Sequence, residues 1–497
     1  MRLAGLDIGT SGCKITVFEE SGEILGGVSR DYPVHRTKSA HEIDAVLIWH
    51  TVKEILTEAA AKYRDIGGIG IASFGESFVM LDCGGLPVCK SMIYTDPRGE
   101  DECSRIKDSA GEENLSRITG LSPHAMYSIP KLMHIKNKLP ELYKKTSKIC
   151  LIGDYISYML TGNAQIEHSL ASRTMAFDIN RLDWSGEIME AAGVDISLFS
   201  KPVPFGTPSG EILKGLSAEL GLKKSAVIVS CGHDQVAAAV GSGIFESRFA
   251  VDGAGSVECI TPVFSLGSVN PEILIRGSYS IVPYVDPGKY ACYAFSFTGG
   301  ALLKWFTDNL AGYSGIEAKK RGISVYMQLE GDAPADGPTG ILVLPHFSGA
   351  ATPYMDYGSR GALIGLTLTH TERDIFYALM EGVCYEMRLN ADFLRSAGIT
   401  FESLRATGGG ANSRAWMQMK ADVLNMPVTA LESAEAGAAG CAMAAGAALG
   451  LYPNLREAAK IFVREKETYC PVPEMHGRYS LIYEKYKKLY TAVRPLM

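Results

Sequence analysis

LAGLDIGTSGCK, residues 3–14, is the stretch on which the prediction of the fold depends. A short apolar run ends in Asp7, the turn 9–12 follows, and a second run with alternating apolar residues covers 13–18. Two such runs separated by a glycine-rich turn are typical of a β-hairpin. We therefore expect the chain to begin with two antiparallel strands.

The same turn also contains the parts of a phosphate site. Glycines such as Gly9 let backbone N–H groups approach an anion closely, and the hydroxyls of Thr10 and Ser11 are further donors. Asp7, at the end of the first run, is placed to hold a divalent metal directly or through water. A plain hairpin with a glycine turn accounts for the same residues, so both interpretations stay open at this point.

The length and composition limit the class of protein. At 497 residues the chain exceeds what one hydrophobic core usually supports, so two domains are expected. With a net charge of −7 and no dense Lys/Arg cluster, we expect no nucleic-acid partner. No uninterrupted apolar run of about 20 residues is present. The nearest, residues 434–451, is rich in Ala and Gly and carries Glu435, which indicates a packed helix and no membrane association.

Cysteine usage and the N-terminus predict the compartment. The 11 cysteines are dispersed without a CxxC pair, which favours reduced thiols over a disulfide framework or a zinc site. Met1 leads directly into a predicted core strand and leaves no room for a signal peptide. Both observations predict a cytoplasmic protein.

The pattern of the first hairpin returns about half a chain later. Residues 249–261, FAVDGAGSVECIT, are again an apolar run, a Gly/hydroxyl turn and a second β-like run. Gly255-Ser256 can be aligned with Gly9-Thr10, with one extra residue after the acid. An internal duplication that produces two related α/β domains with a cleft between them accounts for this match.

A third glycine-rich turn, Gly408-Gly409-Gly410, follows a predicted strand at 404–407 and opens a helix. Glycine in this turn would let a flat base lie against the backbone. Ligands of open α/β sheets bind at the carboxyl ends of strands, where all three turns lie. Together the turns predict a nucleotide held between two domains.

Asp234 is the candidate general base. A strand is predicted over 226–230, a turn over 231–235, and a helix of small residues after it. Phosphoryl transfer to an alcohol needs a carboxylate near the attacking hydroxyl to accept its proton. An aspartate that merely caps the helix explains the same position.

Glu76 and His233 are two further polar residues whose roles stay open. Glu76 lies between two predicted strands, where it would bind substrate hydroxyls or face solvent, and His233 lies beside the candidate base, although a lone histidine is more often structural. No His/Cys/Glu cluster has metal-ligand spacing, and neither a Gly-x-x-x-x-Gly-Lys-Ser/Thr loop nor a Gly-x-Ser-x-Gly elbow is present.

Taken together, these residues resemble the FGGY carbohydrate kinases, the family that contains glycerol kinase, xylulokinase and gluconokinase. The resemblance runs nearly end to end, and the order and spacing of the motifs carry it. The matching segments are Asp7-Ile8-Gly9-Thr10, Ile93-Tyr94-Thr95-Asp96-Pro97-Arg98, residues 126–135, Gly153-Asp154-Tyr155, Leu160-Thr161-Gly162, Ala171-Ser172-Arg173-Thr174, Gly232-His233-Asp234-Gln235, residues 299–305, residues 361–366 with Asp374 and Glu381, and residues 408–413.

The resemblance implies an α/β fold with two RNase H-like domains of the actin/hexokinase type and an active-site cleft between them. It also implies ATP and Mg²⁺ as cofactors. The implied domains are residues 1–245, with sugar binding and the catalytic base, and residues 246–497, with ATP binding.

The resemblance also assigns roles to residues. The family's catalytic base falls on Asp234, and Asp7 becomes the Mg²⁺-linked acid. Glu76 aligns with the glutamate that holds glycerol hydroxyls in glycerol kinase, and the other expected sugar-binding residues are Asp96, His233 and Gln235. The residues expected to bind ATP and its phosphates are Gly9, Thr10, Ser11, Lys14, Gly255, Ser256, Gly299, Gly409, Gly410 and Asn412.

Three positions depart from the family pattern. Gly75 stands where glycerol kinase has an arginine, His134 stands where Trp is typical, and Ala350-Ala351 replaces the Glu-Arg often found before Thr-Pro. The departures at Gly75 and Ala350-Ala351 fall in substrate or interdomain positions, so they leave the substrate open but not the phosphoryl donor.

We therefore expect an enzyme that transfers a phosphoryl group from ATP to a hydroxyl of a small sugar, sugar acid or polyol, with a xylulokinase-like substrate as the first hypothesis. The alternative is an actin-like regulator that binds nucleotide and senses a sugar without phosphorylating it; the retained Asp7, Thr10 and Asp234 count against it. A polymerising filament protein has no support in the sequence. The sugar, the hydroxyl and the oligomeric state stay open, although homodimers are common in the family.

Overall fold

The computed structural model describes residues 1–222, 226–331 and 337–497. The chain divides into two compact units. The first comprises Met1–Phe245, Ser280–Ala291 and Glu435–Val463, and the second comprises Glu246–Tyr279, Cys292–Ala434 and Arg464–Met497. The first unit thus contains all of residues 1–245 together with two later segments. The assignment of sugar and ATP binding to two separate domains stays a prediction.

Strands and helices alternate through residues 1–245. The strands are β1 (Arg2–Ile8), β2 (Gly12–Glu19), β3 (Ile24–Asp31), β4 (His35–Arg36), β5 (His41–Ile43), β6 (Ile66–Ser73), β7 (Phe78–Leu81), β8 (Ser91–Met92), β9 (Lys148–Leu151), β10 (Gln165–Glu167), β11 (Phe177–Asp178), β12 (Asp183–Trp184), β13 (Lys201–Val203), β14 (Thr207–Glu211) and β15 (Val227–His233). The helices are α1 (Ala45–Lys62), α2 (Glu100–Ala110), α3 (Glu112–Thr119), α4 (Ser128–Lys138), α5 (Pro140–Lys145), α6 (Ile152–Thr161), α7 (His168–Ser172), α8 (Gly186–Ala192), α9 (Lys214–Leu220) and α10 (Asp234–Gly241).

The same alternation continues to the end of the chain. The strands are β16 (Phe249–Ala254), β17 (Glu258–Ser265), β18 (Ile281–Pro283), β19 (Lys289–Cys292), β20 (Ala294–Ser296), β21 (Leu342–Leu344), β22 (Ala362–Ile364), β23 (Ser403–Thr407), β24 (Val428–Leu431) and β25 (Glu465–Tyr469). The helices are α11 (Pro271–Arg276), α12 (Gly300–Asn309), α13 (Gly312–Arg321), α14 (Val325–Glu330), α15 (Glu372–Ser396), α16 (Arg414–Leu424), α17 (Ala436–Ala448), α18 (Leu455–Phe462), α19 (Pro473–Tyr486) and α20 (Leu489–Val493). Short 3₁₀ turns span Ile196–Leu198, Leu266–Ser268, Gly409–Asn412 and Arg494–Leu496.

The central sheet of the first unit has the strand order β14-β15-β6-β1-β2-β3. The predicted hairpin is its β1–β2 pair, which is antiparallel, whereas β1, β6 and β15 run parallel to one another. In strand β6, large and small residues alternate and so face opposite sides of the sheet. Ile69 and Ile71 are buried in the hydrophobic core that includes α1, whereas a Cβ on Gly68 or Gly70 would collide with α17.

The register of the three parallel strands brings their carboxyl ends to one edge. Ile8 of β1 pairs with Ser73 of β6, and Ser73 pairs with His233 of β15. Residues that directly follow these strands therefore lie side by side, which is where ligands of such sheets bind.

The main sheet of the second unit repeats this pattern. Strands β16 and β17 form an antiparallel hairpin, β16, β23 and β24 run parallel, and β25 is antiparallel to β24. The order and directions match those of β1, β2, β6, β15 and β14 in the first unit. This repeated topology agrees with the internal duplication inferred from the two hairpin sequences.

Among residues 1–222, 226–331 and 337–497, no helix is both long and apolar enough to cross a membrane. Residues 434–451, the most apolar stretch, contain α17, and its small residues pack closely against the first unit's strands.

Candidate functional site

The turn between β1 and β2 is tightly closed. The Gly9 N–H donates to the Gly12 carbonyl at 2.9 Å, and the Tyr32 hydroxyl donates to the Gly9 carbonyl at 2.5 Å. Thr10 and Ser11 lie at its tip, and Ser11 is exposed. The stretch is thus a hairpin whose tip carries two accessible hydroxyl residues, and the two interpretations of the sequence are compatible.

Asp7 lies at the end of β1, opposite Lys14 of β2. Its carboxylate has no hydrogen-bond partner in the part of the chain that the structure describes. Burial and the nearby Glu435 raise the pKa of Asp7 to about 6, and Lys14, which is ion-paired with Glu435, partly opposes them. An uncommitted carboxylate next to a second acid attracts a cation, and oxygen is the ligand atom that Mg²⁺ prefers. These residues therefore fit Mg²⁺.

Asp234 is the first residue of α10. Strand β15 continues to His233, two residues beyond the start of the predicted turn, because its pairing with β6 extends to the His233–Ser73 pair. His233 is the helix cap, and its Nδ1 accepts from the Gln235 N–H at 3.4 Å. The interpretation of Asp234 as a capping residue is therefore wrong, since the position before it has that role.

The surroundings of Asp234 suit a proton acceptor. Its Oδ1 accepts the Gln235 N–H at 2.6 Å, and a third of its side chain (33%) is exposed. Burial and the charge of Asp7 raise its pKa to about 7, while the Gln235 N–H and the Arg173 guanidinium oppose them. A carboxyl whose pKa is near neutrality can take a proton from a hydroxyl and release it again.

Glu76 follows β6 at the same edge of the sheet. Its backbone has a φ of 63°, a left-handed conformation that is uncommon for a side chain of this size. Its carbonyl accepts the Ser128 hydroxyl at 2.6 Å, and its Oε1 accepts Arg173 Nε at 2.7 Å. Strained residues held by several contacts cluster at functional sites.

The other predicted sugar-binding residues differ in how available they are. Asp96 is 3% exposed, and its oxygens accept from the His41 N–H, the Arg98 N–H and the Arg98 guanidinium. Burial and the Arg173 charge hold the pKa of His233 well below its usual value, so the ring is neutral. Gln235 is half-buried beside Asp234. Direct contact of these residues with a sugar stays a prediction.

The second unit brings the predicted nucleotide turns together. The Gly255 carbonyl accepts the Gly300 N–H at 2.8 Å, and the Ser256 carbonyl accepts the Gly299 N–H at 2.9 Å. A Cβ on Gly408 would lie 2.7 Å from the Ala254 carbonyl oxygen, so this glycine is required by close packing. The three segments converge at the carboxyl end of β16, because β16 and β23 are parallel neighbours.

The outer side of this site is open. A Cβ on Gly409 would meet no atom within 4 Å, and both Gly409 and Asn412 are exposed. A Cβ on Gly410 would lie 2.9 Å from the side chains of Ala254 and Trp416, so Gly410 anchors the loop. A loop that is packed on one side and exposed on the other fits a flat base, and the neighbouring turn contains Ser256, whose phosphate binding stays a prediction.

A buried charged cluster lies behind this turn. Lys420 Nζ donates to Asp252 Oδ2 at 2.5 Å and also to Glu258. Burial and the Asp252 charge raise the pKa of Glu258 well above its usual value. Burial alone would lower the pKa of Lys420, but the charges of Asp252 and Glu258 together raise it. A Cβ on Gly299 would lie 3.1 Å from Glu258 Oε2, so the cluster supports the backbone at the start of α12.

Sequence reasoning missed two residues of these sites. Arg173 stands in one of the family motifs without an assigned role, and none of the motifs assigns a role to Lys420. Arg173 lies 97 residues from Glu76, and Lys420 lies 168 residues from Asp252. In the sequence, the small residues that flank Arg173 in Ala171-Ser172-Arg173-Thr174 are a signal that this arginine is buried.

Two models of known protein families match the chain. Residues 3–241 match the model of the FGGY family of carbohydrate kinases, N-terminal domain, and residues 269–449 match that of the C-terminal domain. The chain belongs to the FGGY family of carbohydrate kinases. It is therefore an ATP-dependent carbohydrate kinase with Mg²⁺ as its metal, as the sequence predicted.

Two relatives match along nearly their whole length. The chain is 26% identical over 497 residues to xylulose kinase of Bacillus subtilis, covering 99% of this chain and 97% of the relative. It is 27% identical over 514 residues to autoinducer-2 kinase of Salmonella choleraesuis, covering 100% of this chain and 95% of the relative.

Solved structures confirm the fold. A ligand-bound xylulose kinase from Lactobacillus acidophilus has a TM-score of 0.88 at 23% identity and covers 99% of this chain and 98% of its own. A gluconate kinase from Lactobacillus acidophilus has a TM-score of 0.87 at 22% identity, with 99% and 98% covered. The predicted α/β fold with two domains of the sugar-kinase type is confirmed.

Proposed function

We propose that the enzyme phosphorylates a hydroxyl of a small ketose of the xylulose type. Full-length relatives named xylulose kinase support this substrate class. The observation that carries the chemistry is the placement of Asp234 and Glu76 at one edge of the β1-β6-β15 sheet, with Asp234 ready to take up a proton.

In this proposal Asp234 accepts the proton of the attacked hydroxyl, at the carboxylate oxygen that Gln235 N–H does not occupy. Glu76 orients the sugar, with Asp96, His233 and Gln235 completing its surroundings. Because a correctly oriented hydroxyl reacts much faster than a free one, the fixed backbone of Glu76 contributes to rate as well as to binding.

The cofactor-binding assignments are part of the same proposal. Gly9, Thr10, Ser11 and Lys14 bind the terminal phosphates, and Asp7 holds Mg²⁺. The second unit holds ATP through Gly255, Ser256, Gly299, Gly409, Gly410 and Asn412. Bound Mg²⁺ supplies positive charge that offsets the charge of the transferring phosphoryl group. Residues 1–245 would thus be the sugar and base domain, and residues 246–497 the ATP domain. We further propose a cytoplasmic enzyme that forms a homodimer.

The test is ADP release from ATP and Mg²⁺ in the presence of separate sugars: D-xylulose, other ketopentoses, glycerol and gluconate. We expect sugar-dependent ADP release that is fastest with a ketopentose. Tight sugar binding without ADP release would instead favour the non-phosphorylating regulator. Light scattering with ATP tests the filament alternative, and sedimentation tests the dimer.

A further inference from the structure

Arg173 occupies the space that Gly75 leaves free. A Cβ on Gly75 would lie 2.7 Å from Arg173 Cγ, 3.0 Å from Arg173 Cβ and 3.1 Å from His233 Cδ2. The φ of Gly75 is not among the positive values in this chain, so backbone strain does not require glycine there. The absence of a side chain at Gly75 and the position of Arg173 are therefore one feature of the site.

The guanidinium of Arg173 commits one oxygen of Glu76. Its Nε lies 2.7 Å and a terminal nitrogen 2.5 Å from Glu76 Oε1. The guanidinium also lies over the Tyr127 ring, 5.2 Å from its centroid, which limits its movement. Both charged side chains are only 6% exposed. Two donors on one carboxylate oxygen fix the orientation of the whole group.

The second oxygen, Glu76 Oε2, accepts no hydrogen bond from any residue that the structure describes. The pairing with Arg173 thus leaves one acceptor of Glu76 for a ligand. No residue that the structure describes donates to Asp234 Oδ2 either, whereas Oδ1 accepts the Gln235 N–H. These two oxygens are acceptors on acids, so the substrate groups that contact them must be donors.

Three other cations of this region are engaged by other groups or exposed to solvent. Lys131 Nζ donates to the Asp96 and Ala125 carbonyls, and Arg98 is paired with Asp96. Arg36, which faces Tyr94, is exposed to solvent and therefore screened. A substrate carboxylate would place a further acceptor against the uncommitted oxygens of Glu76 and Asp234, whereas hydroxyls can donate to both.

We propose that Arg173 is the specificity-determining residue of the sugar site: it fixes one oxygen of Glu76 so that the other reads a hydroxyl of a neutral polyhydroxy substrate, and Gly75 is the residue that leaves it room. The inference rests on the proposed function of Glu76. It narrows the substrates to neutral ketoses and polyols and excludes aldonates. Arg173 acts through Glu76 and is a positioning residue.

The first experiment measures steady-state kinetics of Arg173→Met and Arg173→Lys with a ketopentose. Arg173→Met should raise KM for the sugar at least tenfold and change KM for ATP less than twofold. Arg173→Lys keeps the positive charge but lacks the two adjacent guanidinium donors. Its KM for the sugar should therefore lie between the values of Arg173→Met and wild type. Arg105→Met, which removes an arginine that is 55% exposed, is the matched control, and its KM values for the sugar and for ATP should equal those of wild type. Thermal unfolding of each variant identifies misfolding.

A double-mutant cycle tests the link to Gly75. Gly75→Ala should raise KM for the sugar about as much as Arg173→Ala, because the new Cβ displaces the arginine. The double variant should be little worse than Arg173→Ala alone, since removal of Arg173 Cγ relieves the closest contact. If the effects of Gly75→Ala and Arg173→Ala on KM for the sugar were independent and additive, the proposed link between Gly75 and Arg173 would be wrong.

The second experiment compares substrates. Wild type should use the ketopentose at least 100-fold better than gluconate in kcat/KM, and Glu76→Gln should narrow that ratio because its amide group can donate to a carboxylate. Comparable use of gluconate by wild type, or an unchanged sugar KM in folded Arg173→Met, would overturn the inference while leaving the kinase assignment intact. If no sugar releases ADP, calorimetric binding of ketopentose and gluconate to wild type and Arg173→Met decides the inference separately from the proposed function.

Discussion

Lys420 Nζ lies 2.5 Å from Asp252 Oδ2, and the two side chains are 2% and 1% exposed. Glu258, which is fully buried, shares the same ammonium group. This cluster lies behind the turn that is proposed to bind ATP phosphates. We therefore expect the cluster to affect both the stability of the second unit and the binding of nucleotide.

Lys420→Met should lower the free energy of unfolding by about 3–5 kcal/mol, because it leaves two buried acids without their cation. It should also raise KM for ATP more than KM for the sugar. Urea denaturation and steady-state kinetics measure the two effects. Lys460→Met, at a side chain that is 71% exposed, should change neither. A stability equal to wild type would contradict the role of the cluster.

Asp234→Asn should lower kcat by about 10²-fold or more, since the amide cannot accept the hydroxyl proton. Binding of ATP, measured by calorimetry, should stay as in wild type. Asp308→Asn, which alters a 53% exposed aspartate, serves as the comparison. Retention of more than about a tenth of wild-type turnover would show that another group is the base.

The rate should depend on pH through Asp234. Its pKa is raised to about 7, by burial first and by Asp7 second, and only the ionised form can accept a proton. We expect kcat/KM for the sugar to be constant above this pH and to fall about tenfold per pH unit below it. Initial rates from about pH 5.5 to 9 at constant free Mg²⁺ measure the profile. A flat profile across neutral pH would argue against Asp234.

Asp154→Asn should change how stability depends on pH. Burial raises the pKa of Asp154 from 3.8 to about 7, against a hydrogen bond from Ser200. Between pH 3.8 and about pH 7, Asp154 is ionised in the unfolded chain but still protonated in the folded chain. Its protonation therefore stabilises the folded state at low pH, and this contribution is lost as the pH rises. Between pH 5 and pH 7 the free energy of unfolding of Asp154→Asn should therefore rise by about 2 kcal/mol relative to that of wild type.

Denaturation midpoints of wild type and Asp154→Asn at several pH values measure that difference. Asp101→Asn, at an exposed position, should show the wild-type slope. Parallel curves for Asp154→Asn and wild type would mean that the buried carboxyl does not take up the proton.

Gly70→Ala should destabilise the first unit by about 1–3 kcal/mol, because the added methyl overpacks the contact between β6 and α17. A Cβ there would lie 2.8 Å from Cys231 Sγ and closer still to the Cys441 carbonyl. Gly215→Ala in α9, where a Cβ meets nothing within 4 Å, is the matched control and should be neutral or stabilising. Equal melting temperatures of the two variants would refute the packing argument.

The sequence alone predicted the local structure around the site. The two Gly/hydroxyl turns became hairpins, and the stretch around Asp234 became a strand followed by a helix of small residues. Such features depend on backbone preferences and on the period of apolar residues, which act between close neighbours in the chain. The order of the motifs was enough to identify the family and the kinase activity.

Tertiary structure decided which of these local features meet. Arg173 reaches Glu76, and Lys420 reaches Asp252, across 97 and 168 residues of chain. The return of residues 435–463 to the first unit, and with them Glu435 beside Asp7, was also absent from the sequence patterns. These pairings follow from strand register and from the close approach that glycines permit, both of which depend on contacts made only after the chain has folded.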